Sequence, residues 1–114
     1  MKIVRVFSGD DGESHFEDVS PEKMAEIVNR IGPGDITLGL RTSPSFSDYH
    51  NAPRRQYVVN LSGTAEFECA DGSKCQMEPG DILVAEDLEG HGHIARSLGA
   101  TPRASLAVPL AEPN

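Results

Sequence analysis

Punctuation constrains this chain more than any other feature. Short runs of β-forming residues recur along it, each closed by glycine, proline or a small polar cluster. Ile3 to Phe7, Ile36 to Arg41, Gln56 to Leu61, Thr64 to Cys69, Lys74 to Met77, Ile82 to Ala85, Gly92 to Ser97 and Ala104 to Val108 read as strands. Turns fall at Ser8-Gly9-Asp10-Asp11-Gly12, Ser62-Gly63, Asp71-Gly72-Ser73 and Glu78-Pro79-Gly80-Asp81. Thr64 to Cys69 and Lys74 to Met77 flank one of them and form a hairpin. Short strands at this spacing predict an all-β antiparallel sandwich or barrel. One helix interrupts the pattern. Ser20 supplies an N-cap, Pro21 the first helical position and Glu22 an acid in the first turn. Met24, Ile27, Val28 and Ile31 follow at helical spacing, and Gly32-Pro33-Gly34 stops the run, so the helix is expected from Pro21 to roughly Ile31.

The chain has 114 residues, enough for one core, so residues 1–114 are expected to form a single domain. With 5% aromatic residues and no Trp, that core must be aliphatic. Ten Lys plus Arg against eighteen Asp plus Glu give a formal charge of −8. This balance argues against nucleic acid or an anionic membrane as the main partner. No apolar run approaches the ~20 residues of a membrane span. Met1 to Phe7 is too short and too broken by charge for a secretory signal, so the expected location is cytoplasmic. The last residues, Ala111 to Asn114, are expected to fray. Cys69 and Cys75 flank the hairpin turn. Their spacing is neither CxxC nor accompanied by nearby histidine, so reduced strand residues are favoured over a redox pair or half a metal site.

Three segments carry chemistry together. The first is His50-Asn51-Ala52-Pro53-Arg54-Arg55-Gln56-Tyr57-Val58-Val59-Asn60-Leu61-Ser62-Gly63. The second is Glu78-Pro79-Gly80-Asp81 with the apolar strand after it, and the third is Gly90-His91-Gly92-His93. In these segments the chain resembles the small single-domain cupins. The resemblance implies a jelly-roll β-barrel, commonly dimeric, with a pocket at the barrel mouth. It also implies a divalent metal held by two histidines one residue apart, a glutamate and a third histidine. His50 matches the first of these, but Ala52 and Gln56 stand where the second histidine and the glutamate would be. The usual register of the last histidine falls on His91, and a turn two residues longer would move it to His93. If the strand already runs from His91, side chains alternating with period two place His91 and His93 on one face. His50, Gln56, His91 and His93 would then form an N₃O set suited to Zn, Fe, Ni or Mn. The alternative is a metal-free pocket in which the same side chains are hydrogen-bond partners. No organic cofactor is implied, and His15 is read as unrelated.

Other residues are expected at the same mouth. Arg41 shares a strand face with Thr37 and Gly39, opposite Ile36, Leu38 and Leu40; an inward arginine in an acidic protein suggests a carboxylate or phosphate ligand, and the alternative is a surface ion pair. Arg54 has the parity of Gln56 and is a second substrate-binding candidate. Tyr49 offers a phenol or an aromatic wall. In Glu86-Asp87 either acid can serve as a general base or as an orienter of histidine, and Glu86 and Tyr49 are the catalytic candidates. Together these residues point to a small polar or anionic ligand and to non-redox isomerase, cyclase or lyase chemistry, since Gln56 replaces the carboxylate that supports iron. The alternative is a metal-free binding or sensor module. Finally, Tyr57 to Leu61 and Ile82 to Val84 are apolar on both faces, which calls for a second covering layer and predicts a homodimer.

Overall fold

A computed structural model describes residues 1–111. Its elements are β1 (Ile3–Ser8), β2 (Ser14–Asp18), α1 (Pro21–Val28), β3 (Thr37–Arg41), β4 (Ser45–His50), β5 (Gln56–Ser62), β6 (Thr64–Glu68), β7 (Lys74–Met77), β8 (Ile82–Glu86), β9 (His93–Leu98) and β10 (Arg103–Pro109). Two sheets face each other, one in the order β2-β1-β8-β5-β10-β3 and the other in the order β4-β9-β6-β7. This is the expected all-β sandwich with one short helix. Among the described residues, β1 and β8 form the single parallel pair in an otherwise antiparallel set.

Two strands escape the sequence pattern, for a physical reason. In β4 the inward positions include Ser45 and Ser47 while Phe46 faces solvent, so apolar alternation is inverted. In β2 only Phe16 is apolar. The helix is shorter than expected. Ser20 caps it by accepting from the Lys23 N–H, but it ends at Asn29, and Ile31 instead bridges to Leu110. Ala111 is tied to Arg30 and Arg55 rather than frayed; residues 112–114 lie outside the described residues. Cys69 and Cys75 are free and buried in the core. The N–H of Cys69 is bonded to Ser73 and Cys75 is paired with Phe67, so the two cysteines do not face each other across the hairpin. Burial pushes the Cys69 thiol up to about 11, which keeps it protonated and unreactive.

The space between the sheets is filled unevenly. On one side Val4, Val6, Phe67, Met77 and Leu83 close-pack into a core. On the other, β3, β4 and β10 turn Thr37, Gly39, Ser45, Ser47, Ser105 and Ala107 inward, and these small side chains leave a hollow. Outside the larger sheet, Met24 of α1 packs with Ile3, Val84 and Leu110, and Tyr57 and Ile82 lie against them. The helix thus covers the β1–β8 half of the outer face.

Glu86 lies beneath this layer. Its Oε1 accepts from Arg5 Nε and its Oε2 from Arg55 Nε, both at 2.7 Å. Burial pushes the Glu86 carboxyl upward, but the hydrogen bonds from Arg5 and Arg55 outweigh it and hold the group below the ordinary glutamate value. A depressed carboxylate stabilises the fold fully above the unfolded glutamate pKa of about 4.3, and that contribution fades as the pH falls through the lower folded value. Glu86→Gln is expected to cost roughly 2 kcal/mol at pH 7, between the exposed and fully buried limits. Urea unfolding as a function of pH checks this, with the gap to wild type closing below pH ~4.

Candidate functional site

The hollow half of the sandwich forms a cavity of about 210 Å³. Strand alternation explains who lines it. From the larger sheet come Thr37, Gly39 and Arg41 of β3, Gln56 and Val58 of β5, Leu83 and Ala85 of β8, and Arg103, Ser105 and Ala107 of β10. The smaller sheet contributes Ser45, Ser47 and His50 of β4, Phe67 of β6, and His93, Ala95 and Ser97 of β9. Arg96 reaches the rim. Among the described residues no Asp or Glu lines this cavity, although the chain carries a net charge of −8.

His50 and His93 are register partners across β4 and β9, and their ring centroids are 4.7 Å apart. Gly92 makes the approach possible: its φ is +81°, and a Cβ there would collide with the His50 carbonyl oxygen. His50 Nδ1 donates to the Asp48 carbonyl at 2.8 Å. His93 Nδ1 bonds Asp87 Oδ2 at 2.5 Å, with both residues buried. In each ring the nitrogen opposite the held one, Nε2, is left with a lone pair when the imidazole is neutral.

Asp87 is fully buried, just after β8. Its Oδ2 also accepts from Ser14 Oγ at 2.7 Å, and its backbone carbonyl accepts from the Ala52 N–H and from Asn51 Nδ2. Its Oδ1 has no hydrogen-bond partner among the described residues. A buried carboxylate on Nδ1 fixes the tautomer and orientation of His93 and compensates the charge when Nε2 takes a proton. The acidic pair at 86–87 thus divides its roles: Asp87 orients His93, while Glu86 points to the opposite face of β8 and is tied to Arg5 and Arg55, away from the cavity.

The remaining candidates are distributed as follows. Gln56 lines the cavity, but its Oε1 accepts from Arg54 Nε at 3.0 Å, so the oxygen expected as a metal ligand is already engaged by a cation. Arg54 also donates to the Asp35 carbonyl and lies beside the cavity in a groove with Pro33, Arg55 and Leu88. Arg41 lines the cavity, as its strand parity predicts. His91 lies outside: it stacks on Tyr49 at 3.8 Å and pairs with Glu13 at 2.9 Å. The left-handed turn at Gly92 breaks the alternation before His91, so His91 and His93 do not share a face. Tyr49, held in that stack, is likewise not part of the lining. Of the four expected metal ligands, His50, Gln56 and His93 converge. Among the described residues no three His, Cys, Asp or Glu side chains cluster in metal-binding geometry.

Arg103 and Ser14 stand out among the site residues that the sequence does not single out. Arg103 lines the cavity, its guanidinium 5.4 Å from the Phe67 ring centre, and the His93 ring meets the same phenyl at 5.7 Å. Ser14 is the other, on a strand that alternation could not reveal. The Arg103 signal was available: it stands directly before the alternating run Ala104 to Val108, at the parity of Ser105 and Ala107.

Asp87→Ala is expected to destabilise the fold by about 3 kcal/mol, because the His93 Nδ1–H and the Ser14 hydroxyl lose a buried acceptor. Asp87→Asn, which keeps one acceptor oxygen, is expected to cost less. Chemical denaturation of the two variants checks the order.

Comparison with known proteins bears on the fold alone. No protein-family model and no curated protein matches the sequence. Among solved structures the chain is similar to the conserved SPY1581 protein of unknown function from Streptococcus pyogenes, at 22% identity and a TM-score of 0.50, over 68% of this chain and 65% of that one. The chain thus spans somewhat less than two thirds of its neighbour's length, and the two share a β fold.

Proposed function

We propose that this chain is a small cupin-type protein whose barrel cavity binds a small polar molecule and moves a proton on it, as a non-redox isomerase, cyclase or lyase does. The observation that carries the reading is the buried His93–Asp87 pair at the cavity wall. His93 Nε2 takes a proton from a carbon beside a carbonyl, and the C–H electron pair shifts onto the carbonyl oxygen. Asp87 offsets the imidazolium charge, and the proton returns from Nε2 to a different atom or the same one. Two buried free cysteines fit a reducing compartment, and we place the protein in the cytoplasm.

A divalent metal is the second reading, favoured by the His50–His93 ring pair. Two imidazoles fill two coordination positions where a catalytic site generally has three protein ligands. Gln56 supplies the third only by releasing Arg54. A binding or sensor module without chemistry is the competing class. Solvent exchange separates these readings. In D₂O, wild-type protein incubated with a panel of small oxo acids is expected to introduce deuterium beside the carbonyl, and His93→Gln to slow this at least about 100-fold. A compound that binds without exchanging favours the binding module. Metal content of untagged protein, lowered in His50→Ala, is the signature of the metal reading.

We also propose a homodimer formed through the uncovered half of the larger sheet. Leu38, Leu106 and Val59 lie in one cross-strand row and Leu40 beside Ala104 in the next. Leu38 and Leu40 are 59% and 73% exposed, and Ile36 and Leu61 extend the patch. Among the described residues the edge strand β3 pairs only with β10, and it is exposed along its length. Its outward side chains are leucines, where an edge meant for solvent carries charge. A two-fold related copy buries both features. Light scattering at micromolar concentration is expected to give twice 12.3 kDa, falling to the single mass in Leu40→Glu.

A further inference from the structure

We propose that the cavity ligand is a small organic carboxylate, and that Arg41 and Arg103 form its anion site. The inference deepens the functional reading above and rests on it for the use of this cavity, but it stands on different residues. Arg41 and Arg103 are direct cross-strand partners on β3 and β10, and both line the cavity. Like charges directly opposite each other on one face of a sheet repel. Among the described residues no carboxylate offsets this repulsion, which is screened by solvent on the Arg41 side alone. Neither guanidinium has an ion pair among the described residues; Arg41 reaches only Ser47 Oγ, at 3.3 Å. Arg103 Nε is buried with no hydrogen-bond partner among the described residues. Ser97 Oγ, in the same lining, is also buried and has none among them. Arg96 differs, since Glu66 and Glu68 neutralise it at 3.2 and 2.7 Å.

Burial and the neighbouring Arg41 charge both push the Arg103 pKa down, so the arginine pair by itself is electrostatically unfavourable. An anion reverses the sign of each term. It bridges the two guanidiniums and gives Arg103 Nε and Ser97 Oγ an acceptor. The remainder of the wall decides between an inorganic oxyanion and an organic acid. Val58, Phe67, Leu83 and Ala107 present an apolar surface that a bare phosphate would leave uncovered. The 210 Å³ of space exceeds the ~150 Å³ cavity known to hold benzene, so a ring or short chain bearing one carboxylate fits. The Phe67 ring lies within 6 Å of both the Arg103 guanidinium and the His93 ring, and so stands between the anion end and the proton-transfer end of the proposed site.

Benzoate is the probe, with benzamide as its neutral isostere and inorganic phosphate as the bare oxyanion. Titration followed by calorimetry and by backbone NMR is expected to show benzoate binding at the cavity at least tenfold more tightly than either control. Arg103→Met is expected to weaken benzoate at least tenfold and to raise the melting temperature of the ligand-free protein, because an uncompensated charge is gone. Arg41→Gln, at an exposed position, is expected to weaken binding without changing the fold, and it keeps the test open if Arg103→Met does not fold. Binding in His93→Gln is expected to persist, so loss of proton exchange and loss of anion binding are separable results. Equal affinity for benzoate and benzamide, phosphate binding more tightly than benzoate, or unchanged benzoate affinity in both arginine variants overturns the proposal.

Discussion

The site depends on one buried carboxylate. Asp87 sits in the connection that leaves β8, a place where a loop would ordinarily be solvated, yet it is fully enclosed. It is tolerated there because its charge and its backbone oxygen are shared out. Ser14 arrives from β2, His93 from the start of β9, and Asn51 and Ala52 from the connection between β4 and β5. One residue therefore ties four separate stretches of chain together at the mouth of the sandwich. In a low-dielectric setting the hydrogen bonds to this anion are strong, and leaving any of them unmade is costly.

The two halves of the interior follow from side-chain size. Where Val4, Val6, Met77 and Leu83 meet, the sheets close on a packed core. Where serine, glycine and alanine point inward, the same sheet spacing leaves a hollow. The fold thus puts rigidity and vacancy side by side, with Phe67, Leu83 and Ala85 common to both. The charge is divided in a similar way. Among the described residues a strongly acidic chain places no carboxylate on the cavity wall and directs arginines into it. For the proposed anion, long-range attraction would be weakened by the overall charge, which leaves selection to the short-range geometry of the guanidiniums.

Several features are legible in the sequence itself. The capping signal at Ser20-Pro21 located the helix start, since it rests on local hydrogen bonding. The parity of Thr37, Gly39 and Arg41 located the inward face of β3, because a strand has only two faces. The convergence of His50, Gln56 and a histidine of the last motif followed from the cupin-like spacing. Three features were not legible. β4 carries serines inward, which removes the apolar alternation that identifies strands. Asp87 could be named beside Glu86, but adjacent residues on an extended chain point oppositely, and which acid met the histidine depended on where β8 ends. The choice between His91 and His93 depended on the left-handed conformation of Gly92.

The sequence by itself determined the class of fold, the position of the helix, the aliphatic core and the set of side chains able to do chemistry, because these follow from local propensity and period-two alternation. Only the tertiary structure decided which of those side chains meet. His91 went to Tyr49 and Glu13, and Glu86 to two arginines. Arg103, on the final strand, came to face Arg41, an element more than sixty residues earlier in the chain. Such encounters are fixed by strand order and register, which are properties of the whole sheet. No window of sequence short enough to read by pattern contains both partners.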